Sequence, residues 1–177
     1  DPMVTTKNTL KIENDVPSGL ADFPADVVSL TTHSNQLFGC GKKTLQKWNG
    51  TNWINETYNN PMNSDELFDI CSYHNELYLV GRFANSVLLK KMDSSGVWKD
   101  VPGFTFANSA KLKVIDDKLY LFGSFVFLNG KNTSDILVYE GNTWEPVGNL
   151  SAAFVSNLVK FNGELICTAQ FKLYSFK

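Results

Sequence analysis

The sequence has a single arginine, Arg82, although it contains 16 basic and 18 acidic residues in a total of 177. The charges are spread along the chain and the formal net charge is −2, so the basic stripe typical of a nucleic-acid-binding protein is missing. The scarcity of arginine also argues against phosphate recognition, for which paired guanidinium N–H groups are favoured. We therefore expect no nucleic-acid partner.

Long apolar runs are missing as well. No segment approaches the roughly 18 consecutive apolar residues that a membrane-spanning helix requires. We therefore expect no membrane span in this segment of chain.

Cysteine and histidine are sparse. Cys40, Cys71 and Cys167 are irregularly spaced and match no zinc or redox motif. They are either buried strand thiols or, for Cys40 and Cys71, a disulfide between neighbouring repeats, which would imply an oxidising compartment. His33 and His74 fall in predicted turns, with no cysteine or carboxylate at metal-ligand spacing. We expect no metal site and no cofactor.

Motifs that carry catalysis are not found either. The sequence has no Gly-x-Ser-x-Gly nucleophile elbow and no phosphate-binding loop. Acidic pairs such as Asp65-Glu66 and Asp116-Asp117 fall in predicted connections, where they are more typical of solvated turns than of glycosidase carboxylates. We expect no catalytic residues and no enzyme activity, and a hydrolase domain is the least favoured alternative.

A short apolar segment, in contrast, occurs four times. It spans Asn35–Gly41, Asn75–Gly81, Asp117–Gly123 and, more loosely, Gly163–Ala169, and its shared leucine recurs at 37, 77, 119 and 165. A period of about 40 residues with strand-like alternation predicts one small antiparallel sheet per repeat. Aromatic residues, at 13%, supply the large flat side chains that stacked sheets need.

The repeat predicts an all-β fold, a small β-propeller of four blades with four antiparallel strands each. We expect a single domain, 1–177, with blades at approximately 26–57, 66–102, 110–148 and 156–177. The last repeat stops after its third strand, so we expect the N-terminal strand 8–13 to join it and close the ring, which hides sheet edges. A closed ring would be a monomer. A piece of a larger or multi-chain propeller would show the same pattern.

Large side chains recur at the junction of the third and fourth strands. We expect these large side chains to pack in the core rather than to bind a ligand. The fourth strands begin at Trp53, Trp98 and Trp144, and the equivalent residues near the ends of the third strands are Trp48, Met92, Tyr139 and Phe176.

The repeat resembles the kelch/galactose-oxidase-like propeller superfamily. The resemblance is carried by Leu-Tyr-Leu-x-Gly at 77–81 and 119–123 and by Gly-x-x-Trp at 50–53 and 141–144. It implies a propeller fold and no particular activity. The Gly-x-x-Trp segment at 141–144 also resembles half of a sialidase Asp box, but that family implies an arginine triad, and this chain has one arginine.

The loops at one end of the predicted sheets differ most between repeats, above all between Gly123 and Asp135. Variation over a repeated scaffold is typical of a binding surface. We expect a non-enzymatic recognition or adhesion module that binds a protein or glycan ligand there, with a scaffold or assembly segment as the alternative. The candidate ligand-binding residues are Arg82, Tyr58, Phe104, Phe106, Phe127 and Asn129.

Four Asn-x-Ser/Thr sequons occur in predicted turns or loops, at Asn49, Asn55, Asn132 and Asn149. These asparagines are candidates for N-glycosylation. They suggest a secreted or cell-surface glycoprotein, and we expect an extracellular or cell-surface location.

Overall fold

The fold is described from a computed structural model. The structure describes residues 10–13, 16–24, 26–57, 66–83, 86–102, 104–127, 135–140, 142–148, 150, 154–170 and 172–176. Within these ranges, residues 10–19, 83, 86–88, 104–108 and 125–127 are described by their backbone alone.

The described chain is all β and forms four antiparallel sheets and one hairpin. The hairpin pairs β1 (Leu10–Glu13) with β2 (Val16–Gly19). Sheet 1 contains β3 (Val27–His33), β4 (Gln36–Gly41), β5 (Thr44–Trp48) and β6 (Trp53–Asn55). Sheet 2 contains β7 (Glu66–Tyr73), β8 (Glu76–Phe83), β9 (Ser86–Met92) and β10 (Trp98–Val101).

The two later sheets follow the same strand order. Sheet 3 contains β11 (Phe104–Ile115), β12 (Lys118–Phe127), β13 (Ile136–Glu140) and β14 (Thr143–Pro146). Sheet 4 has three strands, β15 (Val155–Phe161), β16 (Glu164–Ala169) and β17 (Lys172–Phe176). In every sheet, neighbours in sequence are neighbours in space.

One turn geometry recurs at the start of each sheet and sets the register of its first two strands. Both residues of the turn have positive φ, between 46° and 82°. Two such residues form the hairpin turn whose twist matches the twist of the strands. Asn, Asp and Gly tolerate this backbone best, and most of these positions carry them: Ser34-Asn35, His74-Asn75, Asp116-Asp117 and Asn162-Gly163.

The sheets pack face to face in sequence order through three apolar cores. Phe38 and Leu45 of sheet 1 pack with Leu77 and Trp98 of sheet 2. The next core joins sheets 2 and 3 and contains Tyr78, Leu89, Leu121 and Trp144. The third joins sheets 3 and 4 and contains Phe122, Ile136, Leu158 and Cys167. Trp98 and Trp144 are thus buried between sheets, as their recurrence predicts.

The prediction of a closed four-bladed propeller is wrong. The N-terminal strand pairs with β2, from Leu10 opposite Gly19 to Glu13 opposite Val16, and leaves sheet 4 with three strands. A two-residue connection makes this local pairing far less costly in chain entropy than pairing with strands about 150 residues away. Among the described residues no core joins sheet 4 to sheet 1, so the sheets form an open series.

The segment before β3 covers part of sheet 1. Phe23 is buried and packs edge-on against Trp53, with ring centroids 4.9 Å apart. The indole Nε1 of Trp53 donates to the carbonyl of Ala21 at 3.0 Å. Phe23 also lies directly over Gly39, where an added Cβ would come within 2.6 Å of its ring. This contact explains the glycine at a strand position that carries leucine in sheets 2 and 3.

The three cysteines are free thiols, so the alternative of a Cys40–Cys71 disulfide is wrong. Cys40 and Cys167 are buried and Cys71 is half-buried. Burial raises the pKa of Cys40 to about 12 and that of Cys71 to about 11, because ionisation is costly away from water. Thiols with such a high pKa are poor nucleophiles.

Replacement of Trp98 tests the importance of the core between sheets 1 and 2. Trp98→Ala should lower the free energy of unfolding by about 3–5 kcal/mol, because a large buried side chain leaves a cavity. Trp53→Ala is the matched control and should cost less, since Trp53 is half-buried on the outer side of sheet 1. Urea denaturation measures both. A loss below about 1 kcal/mol for Trp98→Ala would contradict its place in the core.

Candidate functional site

Strands β11 and β12 extend beyond the four-stranded part of sheet 3 as a two-stranded ribbon. Phe104 lies opposite Phe127, and Phe106 lies opposite Phe125. The register shifts at a bulge between Phe106 and Ser109, whereas the pairing of β12 with β13 covers Leu119–Phe122. As far as the chain is described, the ribbon therefore has two strands.

The register brings together three of the predicted ligand-binding residues, Phe104, Phe106 and Phe127. Residues two apart on a strand, and residues directly opposite across a ladder, belong to the same face of a sheet. Phe125 shares that face by the same rule. The intervening pair, Thr105 opposite Val126, belongs to the other face.

The sequence predicts a connection between blades from Pro102 to Ala110 and a loop from Phe125 onward. The structure shows strands from Phe104 and up to Phe127 instead. The alternation Phe-Thr-Phe at 104–106 was the available signal, since aromatic and β-branched residues favour strands. The bulge between Phe106 and Ser109 obscured this strand signal, because a bulge interrupts the period of two along β11.

Arg82 lies near the end of β8 in the neighbouring sheet. Its Nη1 atom is 3.4 Å from the Glu66 Oε2 atom. Its guanidinium group lies 5.8 Å from the centroid of the Phe68 ring. Arg82 is half-buried, so these contacts hold it locally within sheet 2. The remaining predicted ligand-binding residues, Tyr58 and Asn129, lie outside the described residues.

A polar cleft of about 570 Å³ lies where the first strands of the four sheets meet. Its lining includes the residue found eight positions before the shared leucine in every repeat: Ser29, Asp69, Lys111 and Asn157. Because the four side chains differ in charge and size, sequence comparison of the repeats did not single out this position. Only the packing of the sheets brings them together.

Asp69 is the most constrained of these side chains. Its Oδ2 atom accepts a hydrogen bond from the N–H of Leu112 in sheet 3 at 2.9 Å, and its Oδ1 atom accepts one from Ile70 at 2.9 Å. The Ser29 hydroxyl group of sheet 1 also donates to it. Burial raises the pKa of Asp69, and these hydrogen bonds oppose the shift. One carboxyl group thus links three sheets.

The two histidines connect adjacent sheets. His33, the last residue of β3, shares a hydrogen bond of 3.0 Å between its Nδ1 atom and the Ser72 Oγ atom. His74 is an exposed turn residue, and its Nε2 atom lies 3.0 Å from an Asp117 carboxylate oxygen. Across the described part of the chain, no group of three or more His, Cys, Asp or Glu side chains could hold a metal ion.

Two of the sequon asparagines are described, and both are exposed. Asn49 lies in the turn after β5, where its Oδ1 atom accepts hydrogen bonds from the N–H groups of Thr51 and Asn52. Asn55 ends strand β6 rather than lying in a loop, and its Oδ1 atom accepts from Gln46 at 3.2 Å. Asn132 and Asn149 are outside the described residues. Glycosylation stays a prediction at all of these sites.

Comparison with solved structures identifies chains of similar fold. One is the extracellular domain of BT4673 from B. thetaiotaomicron, named as a hybrid two component system, with 15% identity and a TM-score of 0.66 over 92% of this chain. Another structure of the BT4673 extracellular domain, named as a one component system, has 17% identity and a TM-score of 0.64 over 91% of this chain. This chain spans 22% of the length of each of them.

Other comparisons give no relatives. No protein-family model matches the chain, and no curated protein matches it. The resemblance to the kelch/galactose-oxidase-like superfamily is therefore wrong as an assignment, because short segments such as Leu-Tyr-Leu-x-Gly and Gly-x-x-Trp describe strands and turns and do not specify a superfamily. Within the described residues, no helix is both long and apolar enough to cross a membrane.

The raised pKa of Asp69 predicts a specific dependence of stability on pH. The folded protein holds this proton more tightly than the unfolded chain does, so the free energy of unfolding falls as the pH rises through the carboxyl range. Asp69→Asn cannot ionise and lacks this contribution. The stability of the wild type relative to Asp69→Asn should therefore be greatest at low pH and decrease until the pH exceeds the raised pKa.

Urea denaturation of both proteins across the carboxyl range measures this difference, and Asp22→Asn, at an exposed carboxyl group outside the cleft, is the matched control. A stability difference that stayed constant or increased with pH would show that burial does not dominate the environment of Asp69.

Proposed function

We propose that this chain is a non-enzymatic recognition module that binds a protein ligand through the ribbon of β11 and β12. The observation that carries the proposal is the register that assigns Phe104, Phe106, Phe125 and Phe127 to one face of two paired strands. Aromatic residues dominate the energetics of protein–protein contacts, so four phenylalanine positions on one face favour an apolar protein surface as the ligand.

The location of the ribbon supports the same function. It extends from sheet 3, whose core with sheet 2 contains Leu119, Leu121 and Trp144. A binding segment anchored on a rigid sheet is preorganised, and preorganisation reduces the entropy lost on binding. Arg82, held near the corresponding end of sheet 2, is the charged residue that we assign to the edge of this surface.

An extracellular or cell-surface location fits this proposal. The solved structures of similar fold are described as extracellular domains, and the exposed sequon residue Asn55, outside the groove that Trp48 lines in sheet 1, is compatible with secretion. A signal-sensing protein needs a domain that binds its ligand outside the cell, which is the role that we propose for this chain.

Paired substitutions on the two faces of the ribbon test the proposal. Phe104→Ser/Phe127→Ser removes one phenylalanine pair, and Thr105→Ala/Val126→Ala alters the pair on the opposite face. Immobilised wild-type protein is used to capture ligands from the extracellular fraction of the source organism. Affinities are then measured with the purified ligand. We expect at least a tenfold loss for the phenylalanine variant and less than a threefold change for the control.

Two results would contradict the proposal. The first is equal binding by the wild type and the phenylalanine variant, with circular dichroism showing both folded. The second is turnover by the purified chain in a broad panel of glycosides and esters, which would indicate an enzyme instead.

A second candidate function, an assembly segment, is favoured by the outer face of sheet 4. One position lies in the third strand of each sheet, three residues before the large residue near the end of that strand. In sheets 1 to 3 it is fully buried against the following sheet. Its exposed fraction is 0% for Leu45, Leu89 and Ile136 but 74% for Leu173. Phe161, equivalent to the buried Tyr73, is 63% exposed. Val159, two residues before Phe161 on the same strand face, is also 40% exposed, and an exposed apolar face of this kind marks an interaction site.

The partner best matched to this face is a further antiparallel sheet, because each of the three cores joins two sheets face to face. Within the described residues, sheet 4 has three strands whereas sheets 1 to 3 have four each, so a partner could supply backbone pairing at the edge of β17 as well.

Sedimentation velocity tests this second function. The wild type should self-associate as its concentration rises, because a second copy can pack on the outer face of sheet 4. The variant Phe161→Glu/Leu173→Lys should remain a monomer, and its melting temperature should be unchanged. Val97→Lys, at an exposed valine of sheet 2, is the matched control and should behave as the wild type. A wild type that is monomeric at all concentrations would contradict an open apolar face.

A further inference from the structure

The turn end of sheet 1 carries a groove that the proposed function does not use. It has a volume of about 840 Å³ and runs between the turns of sheets 1 and 2. Its lining includes Trp48, Leu37 and His33, with amide and hydroxyl side chains around them. It therefore lies at the end of the sheets where the first two strands turn, away from the Phe104–Phe127 pair.

Trp48 breaks the pattern of its repeat position. Its equivalents Met92, Tyr139 and Phe176 all pack in the core between their own sheet and the preceding one. Trp48, in contrast, belongs to none of the three cores formed by the described residues. It lines the groove instead, so a repeat position that packs in the core in sheets 2 to 4 is here available to a ligand.

Neighbouring aromatic rings hold the Trp48 indole in place. Its ring packs against that of Trp53 with centroids 5.3 Å apart. Trp53 is itself held by Phe23 at 4.9 Å and by its hydrogen bond to the Ala21 carbonyl. A chain of three aromatic rings thus orients the Trp48 side chain before any ligand arrives. Such preorganisation lowers the cost of binding.

The rest of the groove is polar but carries no carboxylate, amine or guanidinium group. Its polar residues are of the Asn, Gln, Ser, Thr and His types: Thr32, His33, Ser34, Asn35, Gln36, Asn49, Ser72 and Asn75. These side chains offer both donors and acceptors. The two backbone N–H groups that bind the Asn49 Oδ1 atom fix its amide group and leave Nδ2 as a donor.

We infer that the groove is a binding site for a neutral oligosaccharide. A sugar ring presents an apolar face of C–H groups that can stack on the electron-rich face of an indole. Its hydroxyl groups both donate and accept, which matches amide and hydroxyl side chains. A charged ligand would find no carboxylate, amine or guanidinium group among the lining residues, and a fixed aromatic surface with a few convergent polar groups is the usual composition of a small-ligand site.

Calorimetric titration of the purified chain with cellotriose, maltotriose, mannotriose and chitotriose tests this inference, with the anionic trisaccharide trigalacturonate as the comparison. At least one neutral trisaccharide should bind saturably with a dissociation constant below about 10 mM. Its affinity should be unchanged between low and high salt, because screening affects only charged ligands. Trigalacturonate should bind more weakly than the best neutral sugar.

Variants assign the binding to the groove. Trp48→Ala should weaken binding at least tenfold, Trp48→Phe should weaken it less, and Gln36→Ala should weaken it about threefold through the loss of one hydrogen bond. Gln36 is an exposed residue at the start of β4, so its variant keeps the test informative if Trp48→Ala fails to fold. Glu145→Ala, at an exposed residue of β14 outside the groove, is the control and should bind as the wild type.

Three results would overturn the inference: no saturable binding of any neutral trisaccharide, binding that neither Trp48→Ala nor Gln36→Ala alters, or a glycan attached to Asn49 in the native protein, which would itself fill the groove. None of these bears on the ribbon of β11 and β12, so this site and the proposed protein-binding site can fail separately.

Discussion

Each sheet of this chain has two apolar faces, and neither face is buried unless another sheet or segment covers it. Sheet 2 shows the constraint most clearly. Along β8, Leu77 and Leu79 belong to the core with sheet 1, whereas Tyr78 and Val80 belong to the core with sheet 3. Alternation along a single strand therefore forces a serial packing of sheets, and the Asp69 carboxyl group connects neighbouring sheets where their first strands meet.

The same constraint explains what happens at the two ends of the series. At one end, Phe23 and the segment around it cover part of sheet 1, which leaves Trp48 beside a groove. At the other end, Leu173 and Phe161 are exposed. Two of the candidate recognition surfaces are thus places where, among the described residues, a repeat position belongs to no core between sheets. The third is the ribbon, where two strands run past the rest of their sheet.

Much of the sheet architecture could be predicted from local pattern. Leu37, Leu77, Leu119 and Leu165 all lie in the second strands of their sheets, because tight turns and alternating side chains are determined by neighbours in sequence. The pairing of β1 could not be predicted in the same way. Its sequence fits a fourth strand, and the choice between a local and a distant partner depends on chain entropy, which strand pattern does not report.

The candidate sites were less accessible to sequence reasoning. Phe104, Phe106 and Phe127 were selected because they do not repeat, but their common face follows only from the register across β11 and β12. Asp69 and Trp48 were not selected as site residues. Asp69 gains its role from groups on three sheets, and Trp48 lines its groove because no core among the described residues includes it, so both depend on tertiary packing.

Native-state hydrogen exchange by mass spectrometry tests the open series of sheets most directly. The amides of β8, in the middle of sheet 2 with cores on both faces, should exchange slowest, at rates set by global unfolding. In β17, at the free edge of sheet 4, the amides that do not pair with β16 should exchange rapidly. In dilute, monomeric protein, uniform slow exchange throughout Lys172–Phe176 would contradict the account, because it would require another strand of the same chain to cover that edge.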